Sequence, residues 1–308
     1  MRPGHRIVDS ALYKVRTRRR LAELLFTEVG FLESLEKNQP KYVVKYKPKY
    51  DDKAPWLAMP PPPELADNYR PISLPPSALK RLQARLAKLL GMITVPPYVF
   101  SSVKGVSYVD NAAVHVGARA FWLLDIEAFL PSCTAERLTW FFRDKLQCSP
   151  DVAAILVEIV TFDGCLPQGS PCSPILSYFC NARMWSDIYQ LAGEYGCTLS
   201  IYADDITLSG AVVPKKLVWR IKEVLKNNGF RTSRSKEVSL VNAPADITGV
   251  IVRDNKLFLP NRQFKKLRVE LAKRRDAKTS IEKRKIDNRI AGRKAQARQI
   301  EKHSKSGR

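Results

Sequence analysis

The sequence predicts an α+β protein rather than a doubly wound sheet, on three observations. Apolar strands and amphipathic helices alternate irregularly, without a repeating strand–helix unit. The stretch "SALKRLQARLAKLL" (77–90) repeats leucine at 79, 82, 86 and 89, the spacing of one buried helix face. The stretch "LSIYADDITLSG" reads as a β-hairpin whose strands carry Ile201, Ile206 and Leu208.

The elements follow in order. Residues 6–37 read as helical, with the basic cluster "RTRRR" beside an apolar stripe. "KYVVKYKPKY" (41–50) alternates basic with aromatic and β-branched residues, as in an edge strand or a hairpin facing nucleic acid. "APWLAMPPPPEL" (54–65) is too rich in proline for a helix or central strand and reads as a connector. After the helix at 77–90, "AFWLLDIEAF" (120–129) is an apolar strand ending in Asp125. "AERLTWFFRDKL" and "DVAAILVEIVTF" predict two helices, and "SPILSYFCNARMWSDIYQLA" (173–192) a longer one. Behind the hairpin, "PKKLVWRIKEVLKNNGF" predicts a helix closed by Gly229, and "DITGVIVRDNKLFLP" supplies short strands. Residues 261–308 hold 18 Lys and Arg against 5 Asp and Glu; weak helical periodicity gives way to "EKHSKSGR", which reads as disordered.

Composition narrows the partners. The chain has 308 residues, and its 52 Lys and Arg against 30 Asp and Glu leave a formal charge of +22. That excess predicts an anionic partner, nucleic acid before membrane. The six cysteines form no C-x-x-C pair, which fits buried thiols in a reducing compartment better than disulfides or zinc. No apolar run is long enough to span a bilayer, and "MRPGHRIVDS" lacks a signal-peptide core, so a cytoplasmic protein is expected.

The chemistry centres on Asp204 and Asp205. Adjacent carboxylates raise one another's pKa unless a cation compensates, and a hairpin tip is where the backbone can turn both toward one ion. Hard oxygen donors beside phosphates suit Mg²⁺, and a two-metal clamp needs a third acid, for which Asp125 is the candidate. In "GCLPQGSPCSPIL" (164–176), three prolines and two glycines surround Gln168. The segment reads either as an ordinary loop capped by Ser173 or as a rigid turn. In the second case Gly169 lets backbone approach a base pair and Gln168 supplies an amide.

Asp125 in "LLDIEAFLPS", then "LPQGSPCSP", then "YADD" resemble, in that order, the motifs of the reverse-transcriptase palm in its bacterial group. "DNAAVHVGA" is similar to the N-A-x-x-H signature of retron reverse transcriptases, at Asn111, Ala112 and His115, and "ITG" (247–249) stands where those enzymes have V-T-G. The resemblance covers about residues 68–260. It implies a right-hand polymerase fold: an amino-terminal helical segment and the start of the fingers over 1–67, fingers and palm with an antiparallel sheet over 68–249, and a short basic thumb and tail over 250–308.

The same resemblance implies RNA-directed DNA synthesis with two Mg²⁺ ions held by Asp125, Asp204, Asp205 and the Ile126 carbonyl. Arg70 matches the arginine that grips the incoming dNTP, and Phe129 or Leu130, with Phe129 favoured, lies under the sugar as a gate against ribonucleotides. Lys236 in "SRSKEV" reads as a contact to primer backbone, a proton donor to pyrophosphate, or a plain solvated lysine. Asn111 and His115 are expected to shape RNA recognition, His115 as a hydrogen-bonder and not a proton shuttle.

Implied partners are a cognate structured noncoding RNA, its RNA–DNA product primed from a guanosine 2′-hydroxyl, dNTPs, a separate effector protein in phage defence, and host RNase H. Another bacterial reverse transcriptase, such as a group II intron enzyme, is the nearest rival reading. A non-catalytic RNA-binding protein on a palm scaffold is the rival from a different class.

Overall fold

The computed structural model describes residues 4–38, 41–49 and 54–306. After a 3-10 turn at Ile7–Asp9 come α1 (Arg18–Leu25) and α2 (Val29–Lys37). The helix expected across 6–37 is thus broken. Thr17 caps α1 by accepting the Arg20 N–H at 3.2 Å, and Phe26 ends it in the left-handed region at φ 55°. The basic–aromatic stretch forms β1 (Val43–Pro48), paired antiparallel with β2 (Tyr69–Leu74), and Tyr50 lies outside the described residues. The proline-rich connector is tied to this hairpin, since Leu57 and Tyr46 exchange backbone hydrogen bonds at 2.9 and 3.0 Å.

Next, α3 (Ser77–Leu90) buries all four leucines of the expected stripe. Each such burial is worth about 2 kcal/mol. The short α4 (Tyr108–Ala113) opens with a reciprocal capping box between Ser107 and Asp110. β3 (Ala120–Asp125) ends at Asp125, as the sequence predicts, and the chain turns at Ala128, φ 45°. α5 (Ala135–Trp140) passes into a π-helical turn at Phe141–Lys145, followed by α6 (Pro150–Val160). The single helix expected over 173–192 is two, α7 (Ser173–Phe179) and α8 (Ala182–Glu194). At the break, Asn181 donates back to the Ser177 carbonyl at 3.0 Å and accepts from Arg137 at 2.8 Å, so its amide competes with helix continuation.

The hairpin is β4 (Thr198–Tyr202) and β5 (Asp205–Gly210), followed by α9 (Lys215–Asn227) and β6 (Val238–Val241). Three short strands, β7 (Ala245–Ile247), β8 (Val250–Arg253) and β9 (Lys256–Phe258), precede α10 (Asn261–Asp276) and α11 (Ser280–Ser306).

The chain divides into two compact units. The first holds residues 1–97, 102–105 and 128–186; the second holds 98–101, 106–127 and 187–308. The expected divisions after residues 67 and 249 fall inside these units rather than between them. In the first unit, Leu21, Leu32, Leu79, Leu86, Ile155, Leu156 and Phe142 are almost wholly buried, and Phe141 stacks on Phe179 at 5.0 Å.

The second unit carries an antiparallel sheet in the order β4–β5–β3–β6 and a smaller antiparallel sheet β7–β8–β9. Leu199 opposite Leu208 and Ile201 opposite Ile206 bury one face of this hairpin. A further apolar cluster joins Val109 and Ala112 of α4, Phe121 of β3, Val250 and Val252 of β8, and Ile300 of α11.

That cluster corrects the expectation of a disordered end. α11 continues to Ser306 because Ile300 is 1% exposed, Gln299 donates to Ser107 Oγ at 3.0 Å, and His303 Nε2 meets Asp110 Oδ1 at 2.9 Å. Residues 307 and 308 of "EKHSKSGR" lie outside the described residues. Tertiary docking outweighs the charge-rich composition. Among the described residues, no helix is long and apolar enough to cross a membrane.

Candidate active site

Asp125, Ile126, Asp204, Asp205 and Lys236 all belong to the second unit. β3 delivers Asp125 at its last position, and β5 delivers Asp205 at its first; the two are directly opposed in the strand register. Between Tyr202 and Asp205 the chain reverses over only Ala203 and Asp204, with Ala203 at φ 57°, the left-handed geometry that a two-residue hairpin loop demands. The Asp204 carbonyl accepts the Ile126 N–H at 3.0 Å, which ties the turn to the end of β3.

Electrostatics mark these acids as a charge surplus. The Asp205 carboxyl is pushed up to about 6, first by burial and then by the negative charges of Asp204 and Asp125; Lys236 works the other way. Asp205 as a residue is exposed, while neighbouring protein groups crowd its carboxyl. The Lys236 ammonium sits on both Asp125 oxygens at 2.8 and 3.0 Å, and that bond raises its own pKa. Beside them a cavity of about 730 Å³ is lined by Asp125, Asp205, Lys236, Thr248, Asp246 and Arg262. Arg262 and Asp246 form an ion pair within it.

The donor set suits a divalent cation in chemistry: hard oxygens, net negative, with one carboxyl driven toward protonation by its neighbours. The three side chains do not converge on one point. Among the described residues, no three acidic, histidine or cysteine groups are gathered closely enough to ligate one ion. The Lys236 ammonium holds Asp125 instead.

The remaining candidates of the dNTP and template site lie in the first unit. Arg70 is exposed on β2, opposite Lys47 in register. Gly169 has φ 137°, and a Cβ there would stand 2.6 Å from the Ser73 carbonyl oxygen. The close approach that requires glycine in this structure is to β2 of the chain itself. The Gln168 carbonyl accepts the Ser73 N–H at 2.8 Å, so the "LPQGSP" loop is riveted to the strand that carries Arg70. Phe129 is 5% exposed and meets Trp185 edge-on at 6.0 Å, so its ring is largely inside the unit.

Asn111 and His115 are each 1% exposed. Asn111 donates to Thr248 Oγ1 at 3.2 Å, and that hydroxyl donates to the Tyr108 carbonyl, so the "NAAVH" and "ITG" motifs are bonded to each other. His115 lies between Ser209 Oγ and Ser200 Oγ, 2.7 Å from each, across the strands that flank the acidic turn. Burial depresses it to about 3, so it is neutral. Direct contact with RNA is thus closed to both side chains in this structure: what they hold is the frame of the site.

Sequence reasoning passed over Glu237, the neighbour of Lys236 in the chain. Glu237 accepts the Trp122 indole N–H at 2.8 Å and the Lys222 ammonium at 2.6 and 2.7 Å. The available signal was a tryptophan within an apolar strand, whose indole N–H needs an acceptor when packed. Asp110, Gln299 and His303 were also missed, because nothing local in a charged tail indicates where it docks.

The mixture of helices and antiparallel sheets, with acids at the ends of β3 and β5, is that of a palm-type polymerase fold. The chain belongs to the reverse transcriptase (RNA-dependent DNA polymerase) family, whose model matches residues 59–252. That family generally uses divalent metal ions. Among curated proteins it is similar to the retron Ec86 reverse transcriptase of Escherichia coli, 28% identical over 206 residues, which are 66% of this chain and 64% of that protein. It is also similar to the retron Se72 reverse transcriptase of Salmonella heidelberg, 30% identical over 245 residues, or 74% and 64% of the two chains. The retron Mx65 reverse transcriptase of Myxococcus xanthus is 30% identical over 262 residues, or 77% and 58%. The chain thus spans less than two thirds of the length of these relatives.

Proposed function

We propose that the protein is a retron reverse transcriptase, an RNA-directed DNA polymerase that copies part of its own structured noncoding RNA. The observation that carries this reading is the register opposition of Asp125 and Asp205 beside Asp204, in a chain similar to retron reverse transcriptases. Asp125, Asp204, Asp205 and the Ile126 carbonyl are the groups that would hold two Mg²⁺ ions, whose chemistry when bound is to acidify the attacking hydroxyl and neutralise the triphosphate and departing pyrophosphate.

The chain's own residues orient the reactants. Arg70, exposed on β2, supplies a guanidinium fork for the dNTP phosphates. The Gln168–Gly169 loop fixes that strand by its bond to Ser73. Phe129 backs the sugar site, and Lys236 sets a positive charge against Asp125 where phosphate charge leaves. Asn111 and His115 serve RNA recognition by holding the frame beneath α4 and α11. The residues before β2, with the first unit's hairpin, form fingers, and the basic helices α10 and α11 form the thumb, where backbone and shape contacts hold A-form RNA.

Priming from a guanosine 2′-hydroxyl, a separate effector in phage defence, host RNase H and a cytoplasmic setting complete the reading. The test uses the protein purified with the RNA that accompanies it, given Mg²⁺ and dNTPs. DNA joined covalently to that RNA, absent with the Asp204→Asn, Asp205→Asn double variant, supports the proposal. No DNA from the wild type ends the polymerase reading; unbranched DNA ends the retron one.

A further inference from the structure

We propose that Glu237 is a positioning residue for Lys236, an inference that rests on the polymerase reading above. Strand side chains alternate, so Trp122 and Asp125 lie on opposite faces of β3. At the turn before β6, Lys236 meets Asp125 on one face and Glu237 meets Trp122 on the other. There Glu237 is gripped from two elements at once: the Trp122 indole of β3 donates to it at 2.8 Å, and the Lys222 ammonium of α9 reaches both its oxygens. The segment before it is tied to the same strand, because the Asp125 carbonyl accepts the Ser233 N–H at 2.8 Å.

The backbone between Ser233 and Glu237 is therefore pinned at both ends, and the Lys236 stem springs from the pinned stretch. The lysine itself is long and 64% exposed in its side chain, and its ammonium bonds to Asp125. The anchor at Glu237 fixes the backbone from which that long stem reaches Asp125. Glu237 does not touch the reacting atoms; it sets where a cation stands beside them, and small displacements of such groups cost large factors in rate.

The experiment measures dTTP incorporation on primed poly(rA) with Mg²⁺ by the full chain. Glu237→Ala lowers kcat by about ten- to a hundredfold, with little change in the KM for dTTP and a modest fall in melting temperature from the orphaned Trp122 donor. Glu237→Gln, whose amide oxygen still accepts from Trp122, recovers most of the rate. The deciding comparison is a double-mutant cycle. In a Lys236→Ala background, Glu237→Ala produces no further loss, because the only route of its effect is already gone. If the two losses multiply, or if Glu237→Ala keeps the wild-type kcat, the proposal is overturned while the polymerase reading stands. A wild type that incorporates nothing removes both. Should Glu237→Ala fail to fold, Trp122→Phe, which keeps the ring and deletes the N–H donor, carries the same cycle.

Discussion

Asp125 and Asp205 face each other as register partners across β3 and β5. Like charges so placed destabilise a sheet by up to about 1 kcal/mol. The pair therefore costs the metal-free protein stability at the end of β3. Asp205→Asn should raise the melting temperature of the metal-free protein by a few degrees while abolishing DNA synthesis; a fall in melting temperature would contradict it. Added Mg²⁺ should stabilise wild type more than the variant.

His115 predicts a pH dependence. Its folded pKa of about 3 lies below the ordinary histidine value, so the unfolded chain takes up the proton first as pH falls. Its contribution to stability is complete above about pH 6.5 and is lost progressively as pH falls toward 3. Asp205 acts oppositely: its raised pKa adds stability below about pH 4 that is lost as pH rises through 6. The measurement is thus the difference between wild type and His115→Gln in urea titrations from pH 7.5 to 4.5. The variant should lose less stability than wild type on acidification, and parallel curves would refute the assignment.

His115→Ala should cost about 3 kcal/mol at pH 7, because two buried hydroxyls, Ser200 and Ser209, each lose a partner at 2.7 Å. Replacing both serines by alanine in that background should restore part of the loss, as unsatisfied groups are the larger part of the penalty.

Gly169→Ala should destabilise the first unit by about 2 kcal/mol, since φ 137° and the Ser73 carbonyl both oppose a Cβ. Chemical denaturation reads the loss. On primed poly(rA), a raised KM for dTTP with a smaller change in kcat is expected, because the loop holds the strand that bears Arg70.

Ile300→Ala should cost about 3 kcal/mol by opening the cluster shared with Val109 and Phe121. Hydrogen exchange should speed up in both α11 and α4. Faster exchange in α11 alone would mean that the two helices do not support each other.

The elements legible in the sequence were those whose periodicity is set locally. The leucines of α3 and the β4–β5 hairpin are where the pattern placed them. Order along the chain sufficed for Asp125, Asp204 and Asp205, because each stands at a strand end or turn that the hydrophobic pattern delimits. Breaks set by one side chain against a distant backbone, such as Asn181 with Ser177 and Arg137, were not legible. Nor was the glycine at 169, whose neighbour is a strand nearly a hundred residues earlier. The "NAAVH" segment was recognisable as a motif, but its bonds to Thr248, Ser200 and Ser209 are long-range facts that no window of sequence contains.

The seating of α11 on α4 also fixes an order of assembly. Ser107 and Asp110 bind partners at 299 and 303, separated by 192 and 193 residues, and Ile300 fills a core whose other members all precede it. On a ribosome, the strands bearing the acids leave the tunnel long before the residue that closes the cluster behind them. The second unit must wait, with apolar surface exposed and a long loop still to be closed, until that last helix arrives.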